Sequence, residues 1–278
     1  MSDLHSINEA INKRAGRKLL PSIGVGILIL ALVIGSLSFF DRILFVALAL
    51  AFVYRGIWEM NRALARANIN ICSSLYLSAT IIFLAAWFEA VPGIAVATAL
   101  TIPFTLIAIL TRGPKDFVRN AFASIFTLAY IPFLASFLLV MAKEDDGLPR
   151  IMTLVALVAC NDTFGYVFGV LLGKHKIAPT ISPKKSWEGL IGSVIFTAIG
   201  GALMLSIYFD QPWWIGALVG LGAVVTATSG DFIESAIKRD LDLKDMGALL
   251  PGHGGVLDRL DSVLLTSPFI WAILNLVG

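Results

Sequence analysis

Long apolar stretches recur along almost the whole of this chain of 278 residues, and they constrain its fold more than any other feature. A helix needs about 20 apolar residues to cross the hydrocarbon core of a bilayer. In lipid each backbone N–H and C=O must find a partner inside the protein, so such stretches are helical. The sequence therefore predicts an all-α polytopic integral membrane protein with about nine transmembrane helices. The predicted spans, with ends good to a few residues, are 20–40, 43–59, 71–91, 93–111, 121–142, 150–173, 189–209, 213–230 and 262–278.

The composition excludes several other classes of protein. Only 14% of the residues are charged and 58% are hydrophobic, whereas soluble domains have about 25% charged residues. The formal net charge of +2 is small, and no basic run alternates with aromatic residues as a nucleic-acid groove requires. Cys72 and Cys160 lie far apart in apolar segments, without metal-ligand spacing. We therefore expect a membrane protein that binds no nucleic acid.

Basic residues are distributed unevenly between the two sides that nine spans would create. With the N-terminus in the cytoplasm, 18 of the 21 Lys and Arg residues are cytoplasmic, and Arg42, Lys143 and Arg150 lie outside. Cytoplasmic segments are the ones enriched in Lys and Arg, so we predict this orientation, with the C-terminus outside. We also expect a bacterial inner (plasma) membrane location, an N-terminal region of about five spans at 1–148, and a C-terminal region at 149–278 that contains the functional residues discussed below.

Two predicted cytoplasmic loops, 174–188 and 231–261, are longer than a connection between neighbouring helices requires. Both are rich in Gly, Pro, Lys and Asp. Long charged loops usually carry function rather than merely connecting elements. We therefore expect the chemistry of this protein in these two loops, on the cytoplasmic side.

Three aspartates in the second loop predict a metal site. Asp258 and Asp261 are three residues apart at the start of the last span, so both carboxylates share one face if that segment is helical. Asp231, at the end of the preceding span, can supply a third carboxylate. Hard oxygen ligands of this kind bind Mg²⁺, and the cluster would repel itself without a cation. The alternative is that Asp258 and Asp261 only provide favourable negative charge at a helix N-terminus.

A glycine-rich turn and two basic residues are candidates for binding anionic groups beside these carboxylates. The turn holds His253, Gly254 and Gly255 and leads into a predicted helix, whose first N–H groups can bind phosphate. Lys238 and Arg239 add cationic side chains for phosphate oxygens. Each feature also has a simpler explanation: an ordinary turn, a histidine that caps the loop, or a basic pair that only sets membrane orientation.

An amide and an acid, Asn161 and Asp162, fall near the middle of the predicted span 150–173. An ionisable residue inside a membrane is expensive and is therefore a candidate for function. We predict that Asp162 lines a polar cavity open to the cytoplasm, with a structural hydrogen bond inside the bundle as the alternative.

The first loop contains a second group of polar residues at 182–188. Lys184 and Lys185 follow Ser182 and a proline, a position from which they could bind a triphosphate or a lipid phosphate. Glu188 could orient a lysine. The alternative is that these lysines only mark the cytoplasmic side.

The two loops together resemble the signature of the phosphatidate cytidylyltransferase family. The resemblance covers roughly residues 150–265, and the first 150 residues are similar only in being apolar spans. Ser186 stands where many members have Thr, and Gly165 where many have Ala, but neither change removes a hydroxyl or a charge. The segments that carry the resemblance are SAIKR at 235–239, KD at 244–245, LPGHGGVLDRLD at 250–261, NDTFGY at 161–166 and ISPKKSWEG at 181–189.

The resemblance implies a two-metal centre and assigns roles to named residues. Asp231, Asp258 and Asp261 would hold Mg²⁺, for which Mn²⁺ can substitute, with a monovalent cation such as K⁺ as the candidate for the second site. Lys238 and Arg239 join these aspartates as expected catalytic residues. The residues expected to bind substrate are Asn161, Asp162, Ser182, Lys184, Lys185, Glu188, His253, Gly254, Gly255 and Arg259.

The implied reaction joins CTP to phosphatidic acid and gives CDP-diacylglycerol and pyrophosphate. Both substrates are anionic, so metals, Lys and Arg would act mainly by neutralising charge and positioning the phosphates. A related enzyme that uses a prenyl or ether-lipid acceptor is the nearest alternative, and a secondary transporter is the alternative from another class. Expected partners are CTP, phosphatidate and the lipid bilayer; the sequence leaves a homodimer open.

Overall fold

Helices make up most of the computed structural model, which describes residues 19–39, 42–247 and 254–277. Within these residues nine α-helices, α1 to α9, are numbered in chain order, with α4 and α5 joined by a π-helical segment at Ala129–Phe133. A short hairpin of two strands, β1 and β2, lies between α6 and α7. The elements are α1 Leu19–Ser38, α2 Ile43–Arg66, α3 Ser74–Leu110, α4 Phe117–Leu128, α5 Leu134–Lys143, α6 Gly147–Leu171, β1 Lys176–Ala178, β2 Ser182–Ser186, α7 Trp187–Tyr208, α8 Trp213–Asp240 and α9 Leu257–Val277.

The number of long helices differs from the nine predicted. In the part of the chain that the structure describes, seven helical stretches are long and apolar enough to cross a membrane. The apolar part of α1, Gly26–Ser38, is shorter than these. The predicted spans 71–91 and 93–111 both fall within the single 37-residue element α3. The protein is thus an all-α, multi-pass membrane protein, as predicted, with fewer separate long helices.

The element α3 accounts for one of the two missing separate helices because it reverses direction at Ala90. This residue has φ 51° and ψ −137°, which are not helical values. The hydroxyl groups of Ser78 and Thr105 lie 3.4 Å apart although 27 residues separate them in sequence, a separation of about 40 Å in a straight helix. Both predicted spans are therefore present, as two antiparallel arms of one element.

The connections between helices lie at two ends of the bundle, and hydrogen bonds between distant residues show which connections share an end. At one end, Arg42 Nη1 donates to Ala142 O at 2.8 Å and Arg150 Nη1 donates to Asn275 Oδ1 at 3.2 Å. We call this the short-turn end. At the other, which we call the long-loop end, Arg239 Nε donates to Ile181 O at 3.2 Å. The two long loops of the sequence therefore meet at one end of the molecule.

The first of these loops is partly a β-hairpin, which the all-α prediction did not include. Strands β1 and β2 pair antiparallel, with Lys176 opposite Ser186 and Ala178 opposite Ser182. Strands this short, carrying Lys and Pro, have no alternating apolar pattern that would reveal them in a sequence. Ser186 ends the hairpin and caps α7, because its Oγ accepts the Gly189 N–H at 3.2 Å.

The last helix, α9, connects the two main apolar clusters. Leu257 and Leu264 at its start pack with side chains of α2, α3 and α5. Ile270 and Leu274 near its end pack with side chains of α6, α7 and α8. The start of α9, where the predicted metal ligands lie, therefore packs against helices of the first half of the chain, and its end against helices of the second half. The proposed division at residue 148 stays a prediction.

Candidate active site

Three acidic side chains from three helices converge at the long-loop end. Asp162 comes from α6, Asp231 from α8 and Asp261 from α9, and these carboxylates are close enough to interact electrostatically. Helices α8 and α9 approach very closely here, since a Cβ built on Gly230 would lie 2.3 Å from the Asp261 backbone oxygen. A glycine at 230 thus allows Asp231 and Asp261 to face each other across the helix pair.

Asp231 has hydrogen-bond donors on both of its oxygens. Ser262 Oγ donates to Oδ1 at 2.7 Å, and Lys185 Nζ from the hairpin makes a close ion pair with Oδ2. The Lys185 ammonium also lies 4.6 Å from the centre of the Phe232 ring. The hairpin and α9 therefore each contribute one donor to this carboxylate of α8.

Asp258 belongs to a neighbouring cluster instead. Its Oδ1 accepts from Lys238 Nζ at 2.8 Å, while its Oδ2 accepts the backbone N–H groups of Met246 at 3.0 Å and Gly255 at 2.7 Å. Lys238 also pairs with Glu234 one turn earlier on α8. Asp258 and Asp261 are both buried, but Asp258 holds the loop that precedes α9, whereas Asp261 faces Asp231.

Asn161 supports Asp162 from within the bundle. Its Nδ2 donates to Asp162 Oδ1 at 3.0 Å, and Ser193 Oγ of α7 donates to the Asn161 backbone oxygen at 2.6 Å. The same hydroxyl leaves little room at Gly165, since a Cβ at 165 would lie 2.6 Å from Ser193 Oγ. Asn161 is thus placed to orient Asp162.

The two adjacent lysines of the first loop, Lys184 and Lys185, have different surroundings although both lie on strand β2. Successive side chains on a strand point to opposite faces, so Lys185 reaches Asp231 while Lys184 is exposed to solvent. Ser182 begins the same strand and is half-buried.

Two other predicted site residues, Glu188 and Arg239, stabilise the hairpin of the first loop. Glu188 accepts the Lys174 backbone N–H at 3.1 Å and contacts His175 Nδ1 at 2.6 Å, so it fixes the start of the hairpin rather than a lysine side chain. Arg239 ties α8 to the hairpin through Ile181 O.

Three residues of the glycine-rich turn and α9 complete the predicted set. Gly254 adopts a positive φ of 79°, where a Cβ would lie 2.7 Å from Asp258 Oδ2. Arg259 interacts electrostatically with Asp162. His253 lies outside the described residues.

Comparison with known proteins decides the family. A model of the cytidylyltransferase family matches residues 19–277. The chain belongs to this family. The phosphatidate cytidylyltransferase of Mycobacterium leprae is 35% identical over 281 residues, which cover 95% of this chain and 90% of that relative.

Two further relatives carry the same name. The phosphatidate cytidylyltransferase of Mycobacterium bovis is 40% identical over 164 residues, covering 59% of this chain and 54% of that protein. The one from Staphylococcus haemolyticus is 36% identical over 183 residues, covering 65% of this chain and 69% of that protein. The family resemblance found in the sequence is confirmed.

The predicted metal centre of this family member stays a prediction. Among the described residues, no three His, Cys, Asp or Glu side chains are arranged as a group that could hold a metal ion. Asp231 and Asp258 are each paired with a lysine. In this structure, the three predicted ligands therefore divide between two adjacent clusters.

The chemistry of the two clusters nevertheless fits a divalent cation. Glu234 Oε1 is buried and accepts no hydrogen bond from the described residues. The two clusters have more carboxylates than cationic side chains, which leaves a formal charge of −2, and hard carboxylate oxygens are ligands that Mg²⁺ prefers. The charged side chains of the two clusters are Asp162, Asp231, Glu234, Asp258, Asp261, Lys185, Lys238 and Arg259.

Sequence reasoning missed two buried polar residues from the first half of the chain. Glu59 of α2 is fully buried and accepts the Leu257 N–H at the start of α9, at 2.9 Å. Tyr130, in the π-helical segment, has a buried hydroxyl without a hydrogen-bond partner among the described residues, and it interacts with Asp231, Glu234 and Asp261. An acid at the end of an apolar span was the available signal for Glu59.

Proposed function

We propose that this protein is a phosphatidate cytidylyltransferase, which converts CTP and phosphatidate to CDP-diacylglycerol and pyrophosphate. The observation that carries this proposal is the relative of that name from Mycobacterium leprae, which aligns over 95% of this chain. The polar cluster at the end of an apolar bundle supports it. Such a site can receive a nucleotide from water and a lipid phosphate from the membrane.

The reaction requires one phosphorus–oxygen bond to form and one to break. A phosphate oxygen of phosphatidate attacks the α-phosphorus of CTP, and the bond from that phosphorus to the oxygen bridging to the β-phosphate breaks. The bridging oxygen leaves with pyrophosphate. The attacking phosphate is already largely ionised near neutral pH, so no strong general base is needed.

The cationic residues of the chain are placed to bind and orient the phosphates. Lys185 and Lys238 lie beside the buried carboxylates, and Arg259 is close to Asp162. Lys184 and Arg239 are exposed at the same end. Preorganised positive charge of this kind stabilises charge that develops on the transferring phosphoryl group.

Mg²⁺, or Mn²⁺ in its place, would be held by Asp231 and Asp261 and would supply positive charge beside the phosphate oxygens. Asp258, the third predicted ligand, would first have to release one of its present donors. The second site for a monovalent cation such as K⁺ is part of the same proposal.

The proposed location is the bacterial inner membrane, with the site facing the cytoplasm. Most of the basic residues that the structure describes lie at the long-loop end, in helices or in the connections between them, whereas Arg42, Lys143 and Arg150 lie at the short-turn end. Cytoplasmic segments are the ones enriched in Lys and Arg. A homodimer stays a prediction.

The activity is tested with the purified protein in mixed micelles of detergent and phosphatidate. CTP labelled at the α-phosphate should pass its label to the lipid, and CTP labelled at the γ-phosphate should release it as pyrophosphate. A prenyl alcohol and an ether-lipid phosphate serve as competing acceptors. Labelling of either one in preference to phosphatidate, or of no lipid, would contradict the proposal.

A further inference from the structure

A buried glutamate in the first half of the chain contacts the start of the proposed catalytic helix. Glu59 lies on α2 with 0% of its surface exposed. Its Oε2 accepts the Leu257 backbone N–H at 2.9 Å, and its Oε1 accepts from Arg55 Nε at 3.1 Å. An acid buried in a membrane helix is unfavourable unless it is paired, and both oxygens here have a donor.

Two glycines of the second loop are fitted around this carboxylate. A Cβ built on Gly247 would lie 2.5 Å from Glu59 Oε1, and one built on Gly255 would lie 2.4 Å from Oε2. These two residues stand at the two ends of the segment that precedes α9. Any larger side chain at either position would displace the carboxylate, so both glycines pack directly against the same group of α2.

The contact with Leu257 fixes the place where α9 begins. The first N–H groups of a helix have no partner within the helix, and a carboxylate that accepts one of them stabilises the helix start. Asp258 is the next residue, and Asp261 follows one turn later on the same helix. The position of Asp261 relative to Asp231 on α8 therefore depends on Glu59.

Arg55 keeps this carboxylate in place from the other side. Its guanidinium lies 4.0 Å from the ring centre of Trp58, so the cation is held by the ring as well as by Glu59. The three side chains form a chain of contacts from the surface of α2 to the start of α9.

We infer that Glu59 is a positioning residue for the transfer reaction, through which the first half of the chain sets the geometry of the carboxylates on α9. This inference rests on the proposed function for its kinetic test. The contact itself can be measured without any activity.

The kinetic test compares Glu59→Ala and Glu59→Gln with Glu89→Gln, which changes an exposed glutamate on α3. Per folded molecule, Glu59→Ala should lower kcat at least thirtyfold with the KM for CTP within threefold of wild type. Glu59→Gln keeps an acceptor for Leu257 N–H and should lose three- to tenfold. Glu89→Gln should match the wild type. A Glu59→Ala enzyme with kcat within threefold of wild type would overturn the inference.

Hydrogen–deuterium exchange in detergent provides the second measurement. Both Glu59 variants should speed exchange in peptides covering 254–262 and leave peptides covering 213–225 unchanged. If the alanine variant does not fold, the glutamine variant decides both tests. Unchanged exchange at 254–262 in a folded variant would overturn the inference. An inactive wild type that shows the exchange effect would contradict the proposed function alone.

Discussion

Single contacts explain why the aspartates of the site are not equivalent. Asp231 is held by Ser262 and Lys185, while Asp258 is held by Lys238 and two backbone N–H groups. Asp261 accepts only the Ser262 N–H among the hydrogen bonds found in the described residues. Asp261 is thus the carboxylate most available for a ligand, and Asp258 the one most engaged by the protein.

Replacing each aspartate by asparagine separates these roles. We expect Asp231→Asn, Asp261→Asn and Asp258→Asn each to lose at least tenfold in kcat, because each removes a charge on which the site depends. The Mg²⁺ concentration for half-maximal activity should rise for Asp231→Asn and Asp261→Asn. It should stay near the wild-type value for Asp258→Asn.

The control for this series is Asp240→Asn, an exposed residue at the end of α8. It should behave as wild type. Retention of more than about a tenth of wild-type turnover by Asp231→Asn or Asp261→Asn would remove that residue from the proposed metal centre.

The neighbouring lysines offer a matched pair of substitutions. Lys185→Gln removes the cation from Asp231 and should lower kcat at least tenfold, whereas Lys184→Gln removes an exposed cation and should mainly raise the KM for CTP or phosphatidate. Steady-state kinetics with each substrate varied in turn makes the comparison. Equal effects of the two substitutions on kcat and KM would contradict the placement of Lys184 and Lys185 on opposite faces of β2.

At the scale of elements, the packing of α8 against α9 positions the site. The two helices are in contact at Gly230 with no room for a side chain. The reversal at Ala90 is a second such feature, since it places the two arms of α3 side by side.

Gly230→Ala should therefore damage both stability and activity. A Cβ at this position would lie 2.3 Å from Asp261 O and would push the helices apart; overpacking of this kind costs about 1–3 kcal/mol. We expect a lower Tm in detergent and at least a tenfold loss of kcat. Gly35→Ala in α1, where a Cβ meets nothing within 4 Å, is the control and should change neither. An unchanged Tm for Gly230→Ala would contradict the close contact.

At the scale of the whole molecule, the bundle separates a polar long-loop end from a short-turn end. The acidic and basic residues of the proposed site all lie at the first. A lipid substrate can approach from the membrane between helices while a nucleotide arrives from water at the same end. The orientation of that end decides which compartment must supply CTP.

Cysteine labelling tests this orientation. In a background without Cys72 and Cys160, Asp146→Cys should react with a membrane-impermeant maleimide on intact cells, and Thr180→Cys should react only after lysis. The expectation follows from the enrichment of Lys and Arg at the long-loop end. The reverse labelling pattern would place the proposed site outside the cytoplasm.

The purified protein should require Mg²⁺ or Mn²⁺ and should work poorly with Ca²⁺. Mg²⁺ imposes octahedral coordination at about 2.0–2.1 Å, whereas Ca²⁺ accepts more ligands at about 2.3–2.6 Å, so the two ions would orient the phosphates differently. After chelation, single cations are added back, and K⁺ is tested at saturating Mg²⁺, where it should stimulate. Full activity without a divalent cation would contradict the proposed metal centre. Activity that does not change with K⁺ would contradict only the proposed second site for a monovalent cation.

Features that depend on neighbouring residues were predictable from the sequence. The apolar spans, the multi-pass membrane fold, the polar character of Asp162 within a span, and the signature around Asp258 and Asp261 are all visible in contiguous segments. The predicted number of separate long helices was too high by two, because α3 contains two predicted spans and the apolar part of α1 is shorter than a full span. The reversal at Ala90 nevertheless lies at the boundary that the sequence predicted between the spans 71–91 and 93–111.

The sequence by itself determined that the chain crosses a membrane many times and which family signature it carries, because apolar length and residue spacing are local properties. Only the tertiary structure decided which charged groups meet. Lys185 and Asp231 are 46 residues apart, and Glu59 and Leu257 are 198 apart. Such contacts arise from the way helices pack, and residue spacing along the chain does not specify that packing.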